Sequence, residues 1–323
     1  MHLHSRKSCT LVDPRKAHNR TVLTLGGNAL IRPGETGSVQ EQWERAAQLA
    51  KFIKQMPPGD ELVLTHGNGP QVGRVLLRSD MCSETISPVP IDVAVAATQG
   101  QMGIMLQQCL ESLANRKSAT ILTQVLVNAN DPAFLNPEKF IGRFYSKTEA
   151  MNKASSLGWT VKEDPGRGWR RVVASPRPYE IVERDSIMTL LNAGITVIAC
   201  GGGGVPVIRH EGHLVGVEAV VDKDRSSALL AHVVGADRMI CLTGVDAVML
   251  DFATPNARTL RQATVSEIAV HLDEGQFPEG SMAPKIRAAM QFLIDGGKGV
   301  IITSPERLPE ALSGSAGTLI TQD

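Results

Sequence analysis

Short apolar runs alternate along the chain with longer stretches of helical periodicity. The apolar runs predict strands at 21–25, 61–65, 119–127, 195–200, 238–242 and 299–303. Apolar residues that recur every three or four positions predict helices at 38–55, from about 71, at 91–115, at 147–157 and at 179–193. Thr264 and Glu267 have the spacing of a capping box, which predicts the start of another helix. Strands and helices in this alternation are typical of an α/β fold.

The alternation breaks in the middle of the chain. Residues 128–144 show no regular pattern, and residues 160–174 read as two strands around a Pro-Gly turn at 165–168. We therefore predict an inserted lid at about 130–175.

Four predicted strands end in loops of small residues. These loops are Gly26-Gly27-Asn28-Ala29, His66-Gly67-Asn68-Gly69-Pro70, Gly201–Gly204, and Thr243-Gly244 with the residues up to Asp246. Ligands of open α/β sheets bind at the carboxyl ends of strands, and loops that lead into helices present N–H groups to anions. A single glycine loop is explained by a turn, whereas four at equivalent ends predict a wide anion-binding rim.

Two lysines stand beside predicted helix starts. Lys223 is flanked by Asp222 and Asp224, and Asp224 is the expected N-cap. Lys285 falls in the first turn of a helix that begins after Ser281, where a cation opposes the helix dipole unless an anion shares the site. A solvated charged turn and a tolerated surface lysine are the structural alternatives. The chain has no P-loop and no G-x-S-x-G elbow, and separate lysines with backbone glycines suit phosphoryl transfer.

Composition narrows the class of protein. The 323 residues are 42% hydrophobic, and 33 basic residues balance 33 acidic ones, which argues against a nucleic-acid coat or an anionic-membrane binder. No apolar run is long enough to span a membrane. Five scattered cysteines indicate reduced thiols in the cytoplasm, and His210 with His213 supplies too few ligands for a metal site, so we predict none. Residues 1–20 are polar and basic, and we expect a flexible extension outside the fold.

Eight segments, taken together, carry a resemblance to a known family. They are TVLTLGGNAL, THGNGPQVG, DPAFLNPEKFIG, KEDPGRGWRRVV, CGGGGVPV, GVEAVVDKD, LTGVDAV and GSMAPKI. In this order, across about residues 21–302, they resemble the carbamate kinase family of the amino acid kinase superfamily. HGNGPQVG and the GRGWR hairpin are the more specific of these motifs.

The resemblance implies both a fold and an activity. The fold is a three-layer αβα sandwich around an open, mainly parallel sheet, with the inserted lid, an acceptor half at about 21–215 and a nucleotide half at about 216–323. The activity is reversible phosphoryl transfer between ATP and carbamate, with Mg²⁺ on the phosphates. It is commonly run from carbamoyl phosphate towards ATP in arginine catabolism, by a homodimer in the cytoplasm.

The resemblance also implies roles for individual residues. Lys223 and Lys285 would bind the transferring phosphoryl group, Lys139 would reach the carbamate side from the lid, and Asp222 and Asp224 would orient the lysines. The carbamate and phosphoryl site would be lined by Gly26, Gly27, Asn28, Gly67, Asn68 and Gly69. The nucleotide would be bordered by Thr243, Gly244, Asp246, Val248, Ser281 and Met282.

Some assignments stay open on the sequence alone. Arg167, Arg170 and Arg171 fit lid closure over anions and a solvated hairpin face equally well. The alternative functions are a kinase of the N-acetylglutamate kinase type, which would need a larger pocket, and a nucleotide-binding regulator without catalysis.

Overall fold

The computed structural model of the protein describes residues 19–26, 31 and 35–323. Its strands are β1 Arg20–Leu25, β2 Glu61–His66, β3 Ser118–Thr120, β4 Gln124–Val127, β5 Lys139–Tyr145, β6 Thr160–Asp164, β7 Gly168–Val173, β8 Pro178–Ile181, β9 Thr196–Ile198, β10 Val205–His210, β11 His213–Gly216, β12 Arg238–Leu242, β13 Val248–Leu250, β14 Arg258–Leu260, β15 Gln262–Thr264, β16 Gly299–Thr303 and β17 Thr318–Thr321. Its α-helices are α1 Val39–Ile53, α2 Gly69–Met81, α3 Ile91–Ala114, α4 Lys147–Leu157, α5 Arg184–Asn192, α6 Lys223–Val233, α7 Val265–Asp273, α8 Met282–Ile294 and α9 Leu308–Leu312. Among these residues no helix combines the length and the apolarity needed to cross a membrane.

An eight-stranded sheet forms the centre of the molecule, in the order β15-β17-β16-β12-β1-β2-β9-β3. Its neighbouring strands are parallel, except that β16 and β17 are antiparallel. The side chains of β1 alternate between two cores. Val22 packs in the core under α5, α6, α7 and α8, whereas Leu23 and Leu25 pack in the core under α1 and α3. Helices therefore cover both faces of the sheet, and the expected three-layer αβα sandwich is confirmed.

Local sequence signals start several of the helices. The predicted capping box is present at α7, where the Thr264 side chain accepts the N–H of Glu267 and the Glu267 carboxylate accepts the N–H of Thr264. Ser38 and Glu41 form the same reciprocal pair at α1. Each pair satisfies backbone N–H groups that the first turn of a helix leaves without a partner.

The predicted strand at 119–127 is two strands in different sheets. β3 ends the main sheet, while β4 belongs to a four-stranded sheet in the order β11-β10-β4-β8. The side chain of Gln99 holds the crossing point, because it accepts the N–H of Thr123 at 2.8 Å and donates to the carbonyl of Thr123 at 3.1 Å. β4 is buried beyond Gln124, whereas β3 is only half-buried, and the predicted run from 119 to 127 passes across the break between them.

The predicted helix at 179–193 is also wrong in its first part. Residues Pro178–Ile181 form β8, which pairs antiparallel with β4, and the helix begins only at Arg184. Glu183 explains the change of structure. Its carboxylate accepts two hydrogen bonds from Gln124, one from the backbone N–H at 2.7 Å and one from the side-chain amide at 2.9 Å. This tertiary contact fixes the chain between strand and helix.

Within the expected lid, β5, β7 and β6 form an antiparallel sheet, with α4 packed beside it. The predicted hairpin is present, and Asp164 pairs with Gly168 at its turn. Residues 128–144 were expected to be irregular, but Lys139–Tyr145 is a strand that pairs with β7. The lid rests on α2, where the Cβ position of Gly73 lies 3.7 Å from the Cα of Gly142. The outer limits of the lid and the division into an acceptor and a nucleotide half stay predictions.

Candidate active site

The four predicted site loops follow four strands that are adjacent in the main sheet. The order β12-β1-β2-β9 is parallel throughout, so all four carboxyl ends meet at one edge. Gly26 is held there by its N–H, which donates to the carbonyl of Leu242 at 2.9 Å. The N–H of Gly67 donates to the carbonyl of Leu25 at 3.1 Å. The expected convergence of these loops is confirmed, although Gly27 and Asn28 lie outside the described residues.

Charged side chains from three elements meet beside this edge. The carboxylate of Asp224 contacts Lys223 through Oδ1 and the Nζ of Lys285 through Oδ2 at 3.2 Å. From the lid, the Nζ of Lys139 donates to Oδ2 of Asp222 at 2.7 Å. Three cations against two carboxylates leave one positive charge in a largely buried cluster, which can hold an anion. All five residues come from the predicted set, and the structure brings them together.

Asp222, and not Asp224, is the N-cap of α6. Its Oδ1 accepts the N–H of Asp224 at 2.9 Å, so Lys223 is the first helical residue. The expectation that Asp224 caps this helix was therefore wrong by two residues. Because Asp222 satisfies the backbone, the carboxylate of Asp224 is left to contact Lys223 and Lys285.

Two pKa values in the cluster show how it is charged. Burial raises the pKa of Asp222, but the charges of Lys139 and Lys223 and the N–H of Asp224 outweigh it, and the pKa falls from 3.8 to about 2. Burial lowers the pKa of Lys223, and the charge and hydrogen bond of Asp224 overcome this effect and raise the pKa above its usual value. Both groups are therefore ionised at neutral pH.

The start of α8 places Lys285. Ser281 occupies the N-cap position, as predicted, but its side chain makes no capping hydrogen bond. The Nζ of Lys285 instead donates to the carbonyl of Ser281 at 3.3 Å, as well as contacting Asp224. The lysine side chain thus folds back over the first turn, towards the positive end of its own helix dipole. Met282, the first residue of α8, is half-buried beside it.

The glycines of the loop at 201–204 are closely surrounded by other residues. A Cβ on Gly201 would meet the imidazole of His66, and a Cβ on Gly202 would meet the side chain of Asn68. A Cβ on Gly203 would meet the carbonyl of Val221, which lies just before α6. Side chains and backbone fill the space at these Cβ positions, and the role of this loop in the anion-binding rim stays a prediction.

His66 is a site residue that the sequence reasoning missed. The side chain ends β2, is 1% exposed and packs against Gly201. Burial lowers its pKa to about 4, although the carbonyl of Gly67 acts in the opposite direction, and the charge of Lys223 lowers it further. Its neighbour Asn68 is also buried, and Nδ2 donates to Oγ1 of Thr98 at 2.8 Å. Only the position of the histidine directly after a strand could have drawn attention to it.

The residues predicted to border the nucleotide are held by neighbouring strands. The N–H of Thr243 donates to the carbonyl of Thr303 at 2.9 Å, and Oδ1 of Asp246 accepts from Oγ of Ser304 at 2.6 Å. Gly244 is exposed, with nothing within 4 Å of its Cβ position. Val248 is fully buried in the core, so only its backbone can face a ligand. These contacts shape the loop after β12 without filling the space over Gly244.

A large cleft opens beside the cluster. It has a volume of about 910 Å³, and Lys139, Asp222, Arg225 and Pro284 are among its lining residues. This volume suits a ligand the size of a nucleotide. The predicted nucleotide loop at 243–248 does not line it. In the part of the chain that the structure describes, no three His, Cys, Asp or Glu side chains form a group that could hold a metal ion.

Comparison with known proteins identifies relatives over nearly the whole chain. The profile of the amino acid kinase family matches residues 19–304. A carbamate kinase of Thermococcus kodakarensis is 45% identical and covers 94% of this chain and 99% of its own. A carbamate kinase of Halobacterium salinarum is 46% identical over 93% of this chain and 97% of its own. The structure of carbamate kinase from Giardia lamblia bound to AMP-PNP matches with a TM-score of 0.89 and 39% identity, over 95% of this chain and 99% of that chain.

The chain therefore belongs to the amino acid kinase family, and it is a phosphotransferase that uses ATP and ADP as substrates. Within that family it belongs with the carbamate kinases. An N-acetylglutamate synthase from Neisseria gonorrhoeae matches with a TM-score of 0.58 but only 14% identity, which shows a common fold alone. The comparisons do not favour the alternative of an N-acetylglutamate kinase type.

Proposed function

We propose that this chain catalyses reversible phosphoryl transfer between ATP and carbamate. In the ATP-forming direction an oxygen of the ADP β-phosphate attacks the phosphorus of carbamoyl phosphate, and the bond from phosphorus to the carbamate oxygen breaks. Carbamate is proposed as the phosphoryl acceptor because the similar proteins are carbamate kinases. The observation that carries the proposal is the carboxylate of Asp224, which holds Lys223 and Lys285 side by side at the edge where the strand-end loops meet.

In this proposal the lysines stabilise the charge that develops during transfer. Phosphoryl transfer needs positioning and charge neutralisation more than covalent help from the protein. Lys223 and Lys285 bind the moving phosphoryl group, and Lys139 binds the carbamate side from the lid. Asp222 and Asp224 orient these three lysines through the contacts described above.

The remaining site residues form the walls. The carbamate and phosphoryl group would lie against Gly26, Gly27, Asn28, Gly67, Asn68 and Gly69. The nucleotide would lie against Thr243, Gly244, Asp246, Val248, Ser281 and Met282. Backbone N–H groups of such loops suit a planar three-atom anion, which needs few side-chain contacts.

Mg²⁺ is proposed to arrive with the nucleotide. Asp222 and Asp224 are engaged by lysines, so the cluster offers no free set of carboxylates. Mg²⁺ keeps several waters and takes most of its other ligands from phosphate oxygens, which fits this arrangement. We further propose the ATP-forming direction within arginine catabolism, and the cytoplasm as its place, where buried thiols such as Cys200 and Cys241 stay reduced.

The test is ATP formation from ADP, Mg²⁺ and carbamoyl phosphate. We expect rapid ATP production by the wild-type chain and a loss of at least about a hundredfold in Lys223→Ala. The matched control is Lys298→Ala, whose 77% exposed side chain pairs with Asp237 away from the site. Wild-type turnover in Lys223→Ala would refute the mechanism. A wild-type chain that forms no ATP would refute the proposed reaction and favour a nucleotide-binding regulator.

A homodimer is proposed through the exposed face of α3. Val93 and Ile104 are 51% and 53% exposed on this helix, and Ala97 lies exposed between them at helical spacing. Exposed apolar stripes of this kind are typical of subunit interfaces. We expect Ile104→Glu to halve the mass measured by light scattering, whereas Met151→Glu on the lid leaves it unchanged. A monomeric wild-type chain at micromolar concentration would contradict this proposal.

A further inference from the structure

A second cavity lies between the lid and α2, away from the lysine cluster. Its volume is about 390 Å³, within the range of small-molecule sites. Gly73 and Gly142 bring the two walls into backbone contact, and beyond that point the walls separate. The α2 wall contributes Leu76 and Leu77, and the lid wall contributes aromatic and cationic side chains.

The lid wall combines aromatic faces with positive charge. Tyr145 and Trp159 meet edge to face, with ring centroids 6.1 Å apart. The ammonium group of Lys153 lies 4.9 Å from the Trp159 ring, and the guanidinium group of Arg171 lies 4.8 Å from it. Such a surface favours an apolar, planar body next to an anionic group.

Three cations and two carboxylates are among the residues that line the cavity. Lys153 is 3.7 Å from Asp80, and Arg171 is 2.7 Å from Glu218. Arg143 lines the same cavity and lies 4.6 Å from the Tyr145 ring. Its charge helps to lower the pKa of Glu149, which does not line the cavity, and among the described residues no carboxylate lies within ion-pair distance of its guanidinium group. A guanidinium group binds a carboxylate through two parallel hydrogen bonds. The balance therefore fits a ligand with a single negative charge.

Both walls of the cavity belong to elements that begin near the lysine cluster. α2 begins in the loop after β2, and β5, which carries Arg143 and Tyr145, begins at Lys139. A molecule in the cavity would contact both α2 and the lid and would oppose their separation. Lys139 would then be kept close to Asp222.

We propose that this cavity is a second ligand site, which takes a small aryl carboxylate and holds the lid against α2. The aromatic body would lie between the leucines of α2 and the rings of the lid, and the carboxylate would pair with Arg143. The binding of the aryl carboxylate does not depend on the proposed reaction with carbamate. The effect of that binding on turnover does rest on the proposed reaction.

Titration calorimetry of the full chain with salicylate tests the binding. We expect one saturable site, at least tenfold weaker binding in Arg143→Gln, and no binding in Leu77→Trp, whose larger side chain fills the cavity. Arg167→Gln is the matched control, because this lid arginine is 66% exposed and does not line the cavity. Equal affinity in all of these variants, or no saturable heat in the wild-type chain, would overturn the proposal.

Two further measurements locate the bound molecule. Salicylate should still bind when ADP and Mg²⁺ are saturating, whereas complete loss would place it in the active centre and overturn the proposal. Amide hydrogen exchange in β5 should slow severalfold with salicylate in the wild-type chain and stay unchanged in Leu77→Trp. Unchanged exchange in the wild-type chain would overturn the role in holding the lid. Neither measurement uses carbamoyl phosphate, so failure here is distinct from failure of the proposed reaction.

Discussion

Asp224 is the residue on which the lysine cluster depends, because one buried carboxylate contacts two ammonium groups. Asp224→Asn keeps the size of the side chain and removes its charge, so Lys223 and Lys285 would face each other without a counterion. We expect a loss of about 3 kcal/mol in the free energy of unfolding, as for other broken buried pairs. Turnover should fall at least about a hundredfold. Urea unfolding and the ATP-forming assay measure the two effects.

The control for this change is Glu180→Gln. Glu180 pairs with Arg209 at 3.2 Å, and both side chains are about half exposed. Removal of an exposed pair costs below about 1 kcal/mol, and the pair is remote from the cluster. Equal losses of unfolding free energy and of turnover in the two variants would show that the charge of Asp224 matters no more than that of an exposed ion pair.

Asp222 provides a prediction on pH. Its folded pKa of about 2 lies below the usual 3.8, so the ionised form stabilises the fold above pH 4, and this contribution is lost as the pH falls towards 2. Asparagine also caps helices, so Asp222→Asn removes the charge and retains a cap. We expect the variant to be less stable by about 2 kcal/mol at neutral pH. The difference should shrink below about pH 4, and a difference that stays constant down to pH 3 would contradict the assignment.

At the scale of single residues, the sequence indicated the charged residues of the candidate site better than the neutral ones. Lys223 and Lys285 stand out because a cation beside a helix start needs an explanation. His66 carries no such signal, since burial keeps its imidazole neutral and nothing in the chain order shows that it packs against Gly201. The N-cap of α6 was misplaced because Asp222 and Asp224 are chemically equal, and only the backbone geometry tells them apart.

At the scale of elements, α2 and β5 are in contact at Gly73 and Gly142, and we expect this contact to set how closely the lid approaches the body. Gly73→Ala adds one methyl group at ordinary contact distance from Gly142, so it should be tolerated. Gly73→Leu would push β5 outward and draw Lys139 away from Asp222. We expect a higher KM for carbamoyl phosphate in the leucine variant at nearly unchanged unfolding free energy. Identical kinetics in the alanine and leucine variants would show that this contact does not set the lid position.

Periodicity located most elements but not their partners. The strands β1, β2, β9, β12 and β16 of the main sheet were found because each is a largely buried apolar run bounded by polar or small residues, whereas β15 and β17 were not predicted. The strand at 119–127 was not divided, because Ile121 and Leu122 continue the apolar run between β3 and β4, and the crossing between the two strands depends on the distant Gln99. β8 was read as helix for a related reason, since its end is fixed by the contact of Glu183 with Gln124.

At the scale of the whole molecule, the sheet, the lid and α8 each supply part of one site. A ligand that binds only the folded state stabilises it by mass action. We expect ADP with Mg²⁺ at about a hundred times its Kd to raise the Tm by about 5 °C. Lys285→Ala should lose most of this shift, because it removes one of the cations that face the phosphates. A full shift in this variant, measured by differential scanning fluorimetry, would place the nucleotide elsewhere.

The class of fold could be predicted from the sequence, but the order of the strands in the sheet could not. Alternating strands and helices indicated the α/β class, and loops after parallel strands had to meet at one edge. The order in the sheet could not be read from the chain, because β9 and β12 reach their neighbours β2 and β1 across long intervening segments. The cavity beside α2 likewise depends on how the lid rests on the body, which no local pattern encodes.

The close packing around the loop at 201–204 should affect how substitutions there score in a mutational scan. In a saturation scan, substitutions at Gly201 would score as poorly as those at Lys223, and the loop would resemble a substrate site. Pairs of substitutions would separate the two cases. A steric defect such as Gly201→Ala should be partly suppressed by a smaller residue at position 66, because that change vacates the space that the new methyl group needs. The missing charge in Lys223→Ala should find no suppressor of this kind, so epistasis would tell a packing residue from a chemical one.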